Sequence, residues 1–108
     1  MAAITVEKIV VGGTQPTFVA AVGPDTFPND GAKTMLTVDN GGGGAITVTF
    51  DGTGTGPTDA VAFDDDVATS VGAAEQWTFG PFPKSRFTSV VTVTYSGVSS
   101  VTVAATTL

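Results

Sequence analysis

The chain has 108 residues, with ten acidic and four basic side chains, no histidine, no cysteine and a formal net charge of -6. These counts exclude zinc sites of the usual ligand types, Ser-His-Asp triads and Cys-His dyads. They also leave no basic stripe of the kind that nucleic acid or an anionic membrane surface needs. A hydrophobic fraction of 42%, with Thr, Ser and Gly dominating the polar remainder, describes one β-rich globular domain over residues 1–108.

In chain order, "ITVEKIVV" (4–11) reads as a strand, apolar on both faces toward its end. Its alternation with Glu7 and Lys8 does not fit a signal peptide. "TFVAAV" (17–22) is almost wholly apolar, as suits a strand covered on both sides or packed on another subunit. "KTMLTV" (33–38) and "AITVTF" (45–50) follow, and in the latter Ile46, Val48 and Phe50 share one face. "AVAF" (60–63), "VATSV" (67–71) and "QWTFG" (76–80) are shorter strand candidates. Residues 59–71 also fall near helical spacing, but three successive aspartates have poor helix propensity, so a hairpin turning at "DDD" is expected. "VTVTY" (91–95) and "VTVAA" (101–105) alternate strictly, with branched Val and Thr suited to a pleated surface.

The links are rich in turn formers. "GPDTFPNDG" (23–31) reads as a turn, and "DNGGGG" (39–44) carries the Asn-Gly signal of a hairpin. "DGTGTGPTD" (51–59) is a polar loop and "SGVS" (96–99) a tight connection. About eight short strands at this spacing predict an all-β, antiparallel β-sandwich, Ig-like or jelly-roll-like.

Few residues offer chemistry. Neither glycine run has the Lys-Ser/Thr or the following helix of a phosphate loop. Asp64 and Asp66 are calcium candidates, but an EF-hand counted from Asp64 has Thr69 where glycine is required, so a solvated acidic turn is preferred. Glu7 and Glu75 are the only glutamates and are far apart, which disfavours a glycosidase pair. Trp77 and Tyr95 could stack on a sugar ring, although single aromatics in strands usually fill cores. No cofactor is expected.

In "FGPFPKSRF" (79–87), Pro81 and Pro83 lack N–H groups, so the chain must leave the sheet at Gly80. Phe82 and Phe87 are expected to fold inward as plugs while Lys84 and Arg86 stay wet. Arg86 is also a candidate ion-pair partner for an acidic neighbour, including one on another subunit.

"GPFPKSRF" followed by "VVTVTYSGVSSVTVAATTL" resembles the C-terminal half of small head proteins of tailed bacteriophages. Upstream, "NDGAKTMLTVDNGGGGAITVTF" is similar to the paired strands of that family, so the resemblance spans residues 29 to 108. The longer glycine run and the "DDD" depart from the family pattern. The resemblance implies a capsid decoration (cement) or head-completion protein with no catalytic residues. Its partners would be the major capsid protein and further copies of itself, a homotrimer being favoured, on the virion surface. Residues 1–11 would be a contact arm or edge strand, with Ile4, Val6, Ile9, Phe18, Trp77 and Arg86 as interface candidates. A head–tail connector or tail ring component, or a carbohydrate-binding module centred on Trp77, are the competing expectations.

Overall fold

The computed structural model describes residues 2–52 and 67–108. Among them are ten strands: β1 (Ala2–Ala3), β2 (Val6–Lys8), β3 (Val19–Ala20), β4 (Asp25–Pro28), β5 (Thr34–Asn40), β6 (Ile46–Phe50), β7 (Val67–Val71), β8 (Gln76–Phe79), β9 (Val90–Tyr95) and β10 (Val101–Thr107). One helical turn, Lys84–Phe87, interrupts the series. The expected strand at 60–63, the "DDD" turn and the calcium candidates Asp64 and Asp66 lie outside the described residues.

The strands form two sheets, one ordered β1-β4-β9-β6-β7 and the other β2-β10-β5-β8, with β3 also paired to β10. From β3 onward the chain changes sheet at every connection except β6 to β7. Strands β3-β10-β5-β8 face β4-β9-β6-β7, all neighbours antiparallel, which is jelly-roll connectivity. The all-β sandwich expected from sequence is thus the fold observed.

Alternation sets the core. Along β5, Leu36 and Val38 are buried while Met35, Thr37 and Asp39 are only partly covered. Val91 and Val93 of β9 face them from the other sheet under the same rule. Val101, Val103 and Ala105 of the neighbouring β10 join the core, although Ala104 and Thr106 of that strand are buried as well. The outward positions are mostly small hydroxyl residues, and Thr37 and Thr78 share a hydrogen bond of 3.0 Å across the strand pair.

Five expectations need correction. Of the strand expected over 4–11 only β2 forms, pairing parallel with β10, while β1 just before it pairs parallel with β4 in the other sheet. Ile4, where the chain crosses between sheets, is only 5% exposed and belongs to the core, not to an open interface. The apolar 17–22 segment contributes only the two-residue β3, with Phe18, Val19 and Val22 left exposed. Residues 25–28, read as turn, form β4, with Asp25 and Phe27 buried and Thr26 and Pro28 outward. Finally, "DNGGGG" closes no hairpin, because β5 and β6 lie in opposite sheets.

The corner at Asn40 shows why. Its side-chain amide donates to the carbonyls of Gly44, Val71 and Gly72 at 2.9, 3.1 and 3.2 Å. Its Oδ1 accepts from the Gly42 N–H at 3.0 Å, and the Gly41 N–H donates to Ser100 O. The bonds to Val71 and Gly72 tie the turn to the opposite layer, while the Gly41 bond keeps its start beside β10.

Candidate interaction surface

Two regions stand apart from the regular sheets. The first is the open side where β7 and β8 meet, closed by the turn "GPFPKSRF". Phe82 and Phe87 are buried, as expected, and Phe82 contacts Phe27, Phe50 and Phe87 with ring centroids 5.5, 4.9 and 5.3 Å apart. Phe50 also meets Phe79 at 5.0 Å, so five phenylalanines form one connected plug. Edge-to-face and tilted geometries of this kind suit the ring quadrupoles. The chain turns at Gly80, whose φ of +124° and close approach to Thr34 O, 2.8 Å from where a Cβ would stand, admit only glycine.

Asn29 fixes the far end of this turn. Its amide donates to Phe82 O at 2.7 Å and Thr88 O at 2.9 Å, and its Oδ1 accepts from the Gly31 N–H at 3.0 Å. Thr88 sits at φ 61°, an uncommon conformation for a β-branched residue, and the Asn29 bond holds it there. Arg86 is half-buried, contrary to the expectation that it stays in solvent, because its guanidinium carbon lies 5.4 Å over the Phe87 ring. A cleft of about 240 Å³ remains between Val67, Phe79, Pro81 and Arg86. Trp77, at the β8 edge, is 42% exposed, stacks on Phe79 at 6.1 Å and donates its indole N–H to Glu75 at 3.2 Å.

The second region is the opposite edge, along β10. Here β2 pairs with Ala105–Thr107 and β3 with Thr102–Val103, so two short strands share one side of β10. The chain between them, residues 9–18, loops outward. Thr14 closes the loop by accepting from the Val10 N–H and donating to Lys8 O. Glu7 closes its base, accepting from the Thr17 N–H at 2.7 Å and the Thr17 hydroxyl at 3.0 Å. Ile9, Val10, Val11, Phe18, Val19 and Val22 are all exposed on this edge, Val11 completely. Val98, beside Gly23, and Leu108, following β10, are exposed as well.

Of the interface candidates, Ile9 and Phe18 lie on the strip, Val6 is partly buried against the core beneath it, and Ile4 is inside. Trp77 and Arg86 lie on the opposite, aromatic side. Sequence reading missed Val10, Val11 and Val22 as surface residues, although the loss of alternation after Lys8 signalled that no sheet face would hold them. It also missed the buried polar anchors.

Those anchors include Asp25, which accepts from the Tyr95 hydroxyl at 2.9 Å and from the N–H groups of Val22 and Gly23. Burial, and then the neighbouring Asp25, pushes the Tyr95 hydroxyl well above its ordinary range. The exposed Asp30 accepts from the N–H groups of Ala32 and Lys33, which bring its carboxyl down to about 2. Among the described residues, no three His, Cys, Asp or Glu side chains converge as a metal site would require. No protein-family model, no curated protein and no solved structure matches the chain.

Proposed function

We propose that this chain is a capsid decoration, or cement, protein: an oligomer that binds the major capsid protein on the outside of a phage head and stabilises the shell. The observation that carries the reading is the strip along β10, where large apolar side chains stand in water on an isolated chain. Apolar surface of this kind marks a site of association. The resemblance of residues 29–108 to small phage head proteins supplies the shell as partner. Jelly-roll sandwiches are a frequent architecture of viral capsid and lectin domains, a likeness of fold alone.

The mechanism would be linkage. A protein that binds only the assembled lattice raises the stability of that lattice by mass action, without any bond being made or broken. Residues 2–8 are held in the two sheets, so the N-terminal contact narrows to the loop beyond Lys8. Co-sedimentation with the cognate expanded shell tests the reading. Saturable binding with a raised shell melting temperature is expected, and absence of binding would overturn it. Rings or tubes of the purified protein under negative stain would favour a connector or tail component instead.

A second reading rests on Trp77. Its exposed ring at the edge of a jelly roll suits a carbohydrate-binding surface. Tryptophan fluorescence quenched by a glycan, and lost in Trp77→Ala, would favour it.

A further inference from the structure

We infer that the strip along β10 is where copies of this chain meet one another. The inference rests on the assembly reading above and names the partner at that surface. Residues 9–24 contain no ionisable side chain, in a chain with ten carboxylates and a net charge of -6. The described carboxylates lie elsewhere or are occupied. Asp25 is buried against Tyr95, and Asp39, Asp51 and Glu75 belong to other strands or their ends. Asp30, beside Thr107 at the end of β10, is engaged by the N–H groups of Ala32 and Lys33, with Lys8 of β2 on the same end of the edge. Glu7, at the strip's margin, is engaged by Thr17.

Charge therefore selects the occupant. Two bodies of like charge repel over roughly 8 Å at physiological ionic strength. They come together with the fewest like-charge neighbours where each carries least charge, and among the described residues the strip is that place. A basic partner would gain little electrostatic attraction along residues 9–24 and would be drawn to the carboxylates elsewhere instead.

Geometry agrees. The seven residues of β10 give the strip a length of roughly 23 Å at about 3.3 Å per residue. Backbone pairing cannot extend far across such a junction, because β3 has two residues and Pro16 and Pro24 flank it without N–H donors. The contact is made by side chains, with Phe18, Val19 and Val22 at its centre and the 9–11 loop at its rim.

Sedimentation equilibrium of the full chain, over a concentration series at low and high salt, tests the inference. The wild type should associate, more tightly at high salt, where like-charge repulsion is screened. Val19→Asp with Val22→Asp should weaken association by about tenfold or more. Val10→Asp with Val11→Asp, in the loop, serves if the first pair disturbs β3. Thr49→Asp with Thr94→Asp, on the outer face of the other sheet, should leave association within about threefold of wild type once circular dichroism shows the fold intact. A wild type that stays monomeric at every concentration and salt overturns the inference, as does equal weakening by the control pair or none by either strip pair. Shell binding by a monomer would sink this inference alone. Self-association without shell binding would sink only the capsid reading.

Discussion

The two long sides of the sandwich solve opposite problems. At the β7/β8 side the chain brings its own closure, the "GPFPKSRF" turn, and buries Phe82 and Phe87 beneath it. At the β10 side two short strands and a loop cover the sheet edge but leave their own apolar side chains in solvent. The difference teaches where this sequence is self-sufficient and where it is not. Aromatic rings finish one side from within, whereas the other keeps large apolar side chains in solvent.

Mutations at the plug should therefore cost folding, and mutations on the strip should cost only association. Phe82→Ala is expected to have the largest effect, about 3–5 kcal/mol, because a buried ring shared by Phe27, Phe50 and Phe87 leaves a cavity. Denaturant unfolding measures it, and a loss under about 1 kcal/mol would break the comparison. Gly80→Ala follows, at about 1–3 kcal/mol, since a Cβ there collides with backbone at a positive φ. Asn40→Ala should cost a similar about 1–3 kcal/mol, as it strands the carbonyls of Gly44, Val71 and Gly72.

Titration offers a smaller, directional test. The Asp30 carboxyl is depressed from 3.8 to about 2 in the folded chain. Its contribution is therefore complete above about pH 4 and is lost as pH falls toward about pH 2. Asp30→Asn should flatten that part of the stability–pH curve, and an unchanged acid limb would show that other carboxylates govern it. Least of all, Val11→Asp on the strip should shift the unfolding free energy by no more than about 0.5 kcal/mol.

Much of the fold was legible from alternation. Strands β5, β6, β7, β8, β9 and β10 fall within two residues of their sequence-based bounds, because period-two Val and Thr report a half-buried pleat directly. The β4 strand was hidden because Gly23, Pro24, Pro28 and two aspartates dominate its surroundings, while Asp25 is buried through a tyrosine 70 residues away. The Asn40–Gly41 pair was misread for a related reason. Turn chemistry reports a local reversal of the backbone, and only the distant acceptors at Val71 and Gly72 decide which sheet the next strand joins. For the candidate surface, the apolar runs pointed to the right part of the chain. They could not separate Ile4, which the sheet crossing carries inward, from Ile9, which it does not.

The parallel pairing of β2 with β10 has a mechanical consequence. Because both strands run the same way, pulling residue 2 and residue 108 apart drags them in opposite directions along their shared ladder. Every hydrogen bond of that ladder is then strained at once, rather than being peeled open in turn. A body clasped this way resists stretching between its ends far better than its short terminal strands suggest.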